Sequence, residues 1–293
     1  MTTSERRPPC PDGVGGFGEF LRSLLAGIPW SERAEVEETV RLAAPRSGLL
    51  RVDNSNGRTR VVGEERSDIE VRLHKVARAE SESAARRLAE SIHLAAAESE
   101  VGLDIEIETP RRWNRRGSVN LELRVPRETR VDVQASNGKV SVEGLHAAVR
   151  ARSSNGGIEV EGVDGDVEVQ SSNARVCCSS CSGRLLARSS NGKIEIAGHR
   201  GAVDAATSNG LIRASLAELR GPVVLATSNG RISLELPESV DADVDVRVDN
   251  GVIRNQRSLD RCTHSSGGRL AGAFGRGGVP IKLRTSNGSI SLR

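Results

Sequence analysis

From residue 131 onward, apolar and polar positions alternate in short runs, and the alternation itself repeats. Val140, Ile158, Val176, Ile194, Ile212 and Ile232 hold one position of a unit of about 18 residues. Two residues on stand Val142, Val160, Cys178, Ile196, Ala214 and Leu234. The other half of the unit gives Val149, Val167, Leu185, Val203 and Val223, then Ala151, Val169, Ala187, Ala205 and Leu225. Ser153, Ser171, Ser189, Thr207 and Thr227 close it. A period of two over runs this short predicts two half-buried β-strands per unit.

Between the two strands the chain repeats Ser-Asn-Gly. Its Asn falls at 137, 155, 173, 191 and 209, at intervals of 18, and again at 229, 250 and 287. Asn173 is followed by Ala174, and "SSGGR" puts Gly267 where an Asn belongs. An outlier, "NSNGR" at 54–58, precedes Asn137 by an interval that is not a multiple of 18. Asn-Gly between alternating strands is ordinarily a hairpin signal, so an antiparallel meander or sandwich is the rival architecture. In a meander, like corners lie about 10 Å apart and gain nothing by being identical. In a coiling chain each corner sits about 4.8 Å above the last, and stacked Asn side chains can bond as a ladder. The pattern therefore favours a mainly β, single-stranded parallel β-solenoid with 18-residue coils. Asn137, Asn155, Asn173, Asn191, Asn209, Asn229, Asn250 and Asn287 form its structural corner ladder, with Asn and Gly expected in left-handed conformations. Residues 131–293 should hold about nine stacked coils, a rod about 43 Å long.

The preceding residues are less regular. Residues 1–35 read as a flexible tail and a short amphipathic helix, with Phe17, Phe20, Leu21, Leu24, Leu25 and Ile28 at helical spacing. Residues 36–130 read as an α+β cap, with strands at 36–42, 49–53, 58–62 and 69–77, a helix at 80–91, and a hairpin joining 92–97 to 103–108. A solenoid needs such a segment, because an uncovered terminal coil exposes strand edges.

The repeat, preceded by "LLRVDNSNGRTRVVGEERSDIEVRLHKVARAESESAARRL" and "VNLELRVPRETRVDVQASNGKVSVEG", resembles the bacterial domain family of unknown function DUF4097 over residues 49–293. That family also goes by the "putative adhesin" or β-strand-repeat name. The resemblance implies a β-helical domain without catalytic residues and with adhesin-like binding. Fold by itself does not supply function.

Composition narrows the partners. Five aromatic rings in 293 residues, none of them Tyr, leave no stacking surface for bases, so no nucleic acid is expected. The 42 basic and 39 acidic residues nearly cancel, and only four of the basic ones are Lys. No apolar run is long enough for a transmembrane segment. The first twenty residues carry no apolar stretch behind Arg6 and Arg7, so a cytoplasmic location is expected, with the cell envelope as alternative if the start is misassigned.

Candidate chemistry is sparse. Cys178 falls in an inward core column, while Cys177 and Cys181 could meet His199 one coil later on the outside, but the spacing does not supply the two ligand pairs zinc wants, so neither metal nor cofactor is expected. Glu143, Glu159, Glu161, Glu195 and Glu235 lie in outward columns beside Lys139, Arg175, Lys193, Arg231 and Arg269, with Arg152 and Arg188 opposite Glu159 and Glu195. Such interleaving reads as exposed cross-strand pairs. "PRRWNRRG" gathers Arg111, Arg112, Arg115 and Arg116 around Trp113 as a possible anion or partner site, its alternative being a wet cap loop. The sequence thus reads as a non-enzymatic scaffold or binding protein for a protein or envelope polymer, capable of self-association through flat faces. A β-helical carbohydrate-active lyase or hydrolase is the alternative.

Overall fold

The structure is a computed structural model that describes residues 32–109 and 117–293. Its strands are β1 (Glu32–Ala43), β2 (Leu49–Asn56), β3 (Thr59–Glu64), β4 (Asp68–Ala79), β5 (His93–Glu98), β6 (Leu103–Glu108) and β7 (Gly117–Pro126). They continue with β8 (Arg130–Asn137), β9 (Val140–Glu143), β10 (Val149–Ser153), β11 (Ile158–Glu161), β12 (Val167–Ser171), β13 (Val176–Ser179) and β14 (Ser182–Ser189). The last are β15 (Ile194–Asn209), β16 (Ile212–Glu218), β17 (Val223–Glu235), β18 (Ala242–Asn255), β19 (Arg261–Ser266), β20 (Arg269–Phe274) and β21 (Val279–Leu292). One helix, α1 (Glu82–Glu90), interrupts them.

The strand before each Asn corner joins one parallel ladder, and the strand after it joins a second. The first runs β2, β8, β10, β12, β14, the end of β15, then the leading halves of β17, β21 and β18. The second runs β3, β9, β11, β13, the start of β15, β16, then the trailing halves of β17, β21 and β18. Register follows the repeat: Val149 lies beside Val167, and Ile158 beside Val176, which lies beside Ile194. At Asn155-Gly156 and Asn191-Gly192 the flanking strands pair with the neighbouring rungs in parallel, so the protein is a β-solenoid and not a meander.

Three features depart from a simple sequential stack. The outlying corner at Asn56 is a rung: β2 and β3 pair with β8 and β9, placing Asn56 beside Asn137. The cap is therefore largely an insertion between the first and second rungs. Next, β21 lies between β17 and β18, so the last strand of the chain is not the last rung. Finally, Gly267 and Gly268, at φ 60° and 76°, turn an antiparallel hairpin between β19 and β20 instead of a solenoid corner. Two successive positive φ angles suit a tight hairpin, and no Asn is present to extend the ladder.

The cap covers the near end of both ladders. β6 adds in parallel to β2 and carries β5 antiparallel, forming the expected hairpin. β7 adds in parallel to β3, followed by antiparallel β4 and β1. Helix α1 is shorter than 80–91 at both ends: Ser81 caps it by accepting from the Ala84 amide, and Ala85 and Ala89 are buried. Lys75, nearly fully buried, donates to Glu38 at 2.5 Å and to the Ile92 carbonyl at 2.8 Å, tying the two outer strands to the chain beyond the helix.

The core fills the space between the ladders with inward columns that, away from the corners, are mostly Val, Ile, Leu and Ala. Val140, Ile158, Val176, Ile194, Ile212 and Ile232 are wholly buried. Phe274, 2% exposed, is the aromatic residue that closes the far end of this core.

Candidate functional site

Each residue of the Ser-Ser-Asn-Gly corner does separate work. The first Ser or Thr points inward and satisfies backbone groups that would otherwise be buried unpaired. Ser153 and Ser189 each accept from the Gly amide three residues on at 2.9 Å, and Ser171 accepts from Ala174 at 3.2 Å. Thr207 and Thr227 instead donate to the Gly carbonyl of the preceding rung. The second Ser faces solvent.

The Asn side chains stack along the rod. Asn155 donates to Asn137 at 2.8 Å, Asn173 to Asn155 at 2.9 Å, Asn191 to Asn173 at 3.0 Å and Asn209 to Asn191 at 3.1 Å. Asn229 then donates to Asn209 at 2.9 Å, Asn287 to Asn229 at 3.0 Å and Asn250 to Asn287 at 3.1 Å. Asn56 turns away and donates to the Gly117 carbonyl.

The expected left-handed Asn and Gly are corrected: among the described non-glycine residues only Ser180 has a positive φ, and of the corner glycines only Gly57, Gly251 and Gly288 do. Glycine is required at most of these corners by proximity. A β-carbon on Gly156 would lie 1.6 Å from the Gly138 carbonyl oxygen, and one on Gly230 1.8 Å from that of Gly210. Asn191→Val should therefore cost the two ladder hydrogen bonds and no backbone strain, about 2 kcal/mol. Lys193→Ala removes a half-exposed charge and should cost under about 1 kcal/mol. Equal urea midpoints for these two variants would show that the ladder contributes nothing.

Outward charges are paired, though not always as the sequence suggests. Lys139 meets Glu159 at 2.6 Å, Arg60 meets Glu143 at 2.9 Å, and Arg175 and Lys193 both meet Glu195. Burial alone would raise the Glu195 carboxyl, but those two cations hold it below its ordinary value. Arg152 pairs with Glu168 and Arg188 with Asp204, not with Glu159 and Glu195, because each lies on the first ladder and meets acids of its own face. Arg231 donates to Ser289. Arg269 belongs to the β19–β20 hairpin and meets Asp245 at 3.2 Å. Glu161 and Glu235 lie on β11 and β17, separated by several rungs, so the five outward Glu do not converge.

The cysteines and His199 do not meet outside. Cys177 is half-buried beside Glu195, Cys178 sits in the core, and Cys181 and His199 are buried. The left-handed turn at Ser180 breaks the inside–outside alternation, so Cys181 faces inward. Burial pushes the Cys178 thiol well up and raises that of Cys181, which keeps both protonated and poor as ligands or nucleophiles. Among the described residues no group of three or more His, Cys, Asp or Glu could hold a metal ion.

Burial likewise depresses His199 below its ordinary value of 6.5. The unfolded chain then binds more protons than the native one below that pH, so stability is full above about 6.5 and falls as the solution is acidified toward the lowered native value. His199→Leu should flatten this part of the stability–pH curve, measured by thermal unfolding from pH 7 downward. An unchanged slope would assign it to other groups.

The outer face of the first ladder bears a depression of about 450 Å³. Leu49 and Leu186 line it together with Arg130, Arg150, Arg184 and Glu168. Arg150 is held by Glu168 at 2.6 Å, and Arg130 donates to the Ser47 carbonyl. Its mixed lining was not read from the sequence, since it depends on which rungs adjoin. Arg111, Arg112, Trp113, Arg115 and Arg116, together with Cys10 and the helix expected at 17–28, lie outside the described residues.

Among solved structures, the chain is similar to a "putative adhesin" from Bacteroides fragilis at 11% identity, covering 89% of this chain and 97% of that one, with a TM-score of 0.49. It is also similar to a "putative cell adhesion protein" from Clostridium sporogenes at 9% identity, covering 88% and 99%, with a TM-score of 0.31. No curated protein matches it. A family model matches residues 48–293, from just before the first rung through the inserted last strand, and the chain belongs to the Toastrack DUF4097 family.

Proposed function

We propose that this protein is a non-enzymatic binding scaffold whose outer faces engage a protein or an envelope polymer. The observation that carries the reading is the depression on the first ladder, where apolar Leu49 and Leu186 lie among charges of both signs. In this depression Arg150 is held by Glu168, whereas the exposed Arg184 guanidinium has no carboxylate within ion-pair distance among the described residues. An acidic group on a partner would supply that pair, and affinity should fall as salt screens it. The anionic loop partner expected for Arg111, Arg112, Arg115 and Arg116 is a second proposal for the same class of ligand.

The test is a panel of anionic polysaccharides and lysate proteins offered to wild type and to Arg130→Ser/Arg184→Ser at several salt concentrations. Weaker, less salt-dependent capture by the variant supports the reading, and identical capture overturns it for this face. Hydrolysis or lyase products from any polymer would overturn the non-enzymatic part. Fractionation of cells expressing the tagged chain reads the compartment: the proposed cytoplasmic location requires the soluble fraction, and the envelope alternative the membrane fraction.

A further inference from the structure

The C-terminal strand occupies a slot one strand wide. β21 pairs in parallel with β17 on one side and β18 on the other along nearly its whole length. Its inward residues Ile281, Leu283, Ile290 and Leu292 are buried to within 1% exposure, and Asn287 bridges Asn229 to Asn250. Without β21 the walls of the slot are two unpaired parallel edges with an open core between them, a template for any strand of matching pattern.

What ties β21 to its own chain is slight by comparison. β20 runs antiparallel along the far side of β18, and the chain then crosses the start of β18 through Gly275-Arg276-Gly277-Gly278. The three glycines have φ of 55°, 79° and 131°, a crossing that only a glycine-rich link takes without strain. The crossing is held by carboxylates and not by the core. Asp260 accepts from the Gly275 amide at 2.5 Å, Asp241 from Arg276 at 2.8 Å, and Asp243 from Gly278 at 3.1 Å.

We propose that β21 is an exchangeable strand, and that the β17–β18 slot of one molecule accepts Val279–Arg293 of a second copy of this chain. The donated strand is identical, so every ladder bond, Asn contact and buried side chain is regained after exchange, and only the crossing differs. The balance between closed and exchanged forms then rests on the crossing and on chain concentration.

Ser233 of β17 and Ser291 of β21 are register neighbours, both half-buried on the outer face. Adjacent strands bring such positions about 4.8 Å apart, within disulfide reach. Full-length Ser233→Cys and Ser291→Cys chains are mixed, unfolded, refolded together at high concentration and oxidised, and the products are mapped by mass spectrometry. The expected result is a disulfide joining position 233 of one chain to 291 of the other, confined to a dimer or larger fraction. Weakening the crossing with Asp241→Asn/Asp243→Asn should raise its yield several-fold. Only intramolecular bonds in the double variant Ser233→Cys/Ser291→Cys, with no bond between the mixed single variants, would overturn the proposal. So would dimers lacking the bond, which would place association on another surface. If position 233 does not oxidise even within one chain, Val252→Cys and Ser289→Cys, neighbours across the other wall, make the same decision.

Discussion

Gly156→Val should destabilise the protein by about 3–5 kcal/mol, more than any exposed substitution on the rod. The corner backbones stack so closely that a β-carbon at this position would lie 1.6 Å from the Gly138 carbonyl oxygen and 2.9 Å from the Ser153 hydroxyl. Neither can move freely. The Gly138 corner is itself seated on Gly57, and Ser153 accepts from the Gly156 amide. Ala174 shows that one rung accommodates a methyl, so Gly156→Ala should cost less than Gly156→Val, and the two together measure how steeply the corner resists volume. The measurement is urea denaturation alongside Lys193→Ala. A Gly156→Val midpoint equal to that of Lys193→Ala would mean that the corners are looser than the stacking requires.

Phe274→Ala should cost about 3–5 kcal/mol as well, but in a different place. The ring is 2% exposed at the far end of a core that otherwise uses aliphatic side chains, and the Arg257 guanidinium lies 5.1 Å above it. Arg257 also donates to the Pro237 and Glu238 carbonyls, so losing the ring loosens the crossing from the second ladder to the β19–β20 hairpin. Stability in a solenoid is close to a sum over rungs and their interfaces, so damage at one end spreads slowly. Hydrogen exchange should therefore show lost protection in β18, β20 and β21 while β8 to β13 keep theirs. Uniform loss along the whole rod would mean that the rungs unfold as one unit.

Much of the fold was legible because its chemistry is local. Alternation places a side chain inside or outside whatever the neighbour, and a repeated Ser-Asn-Gly signals a rung because only stacked corners benefit from being alike. The strands and helix of the cap announced themselves by their pattern along the chain, though the Ser81 cap that starts the helix emerged only from the structure. The candidate site was less legible. The acid and base columns could be seen, but their partners could not: Arg152 and Arg188 reach Glu168 and Asp204 because ion pairing follows which ladder a residue stands on, not its distance from the corner. The burial of Cys181 and His199 follows the left-handed residue before each, Ser180 and Gly198, in an 18-residue column that also holds Gly144 and Gly162; the Ser in place of Gly at 180 hid that turn.

By itself, then, the sequence determined the coil, its inner and outer faces and the chemistry of its corners, since these follow from side-chain period and from the geometry of one turn. Tertiary structure alone decided the order of the rungs. A parallel ladder bond between Asn56 and Asn137 rungs, or between those of Asn229 and Asn287, is the same bond as one between neighbours 18 residues apart. Backbone pairing carries no record of chain order, so the places of the inserted cap and of β21 are visible only in the pairings of the assembled rod.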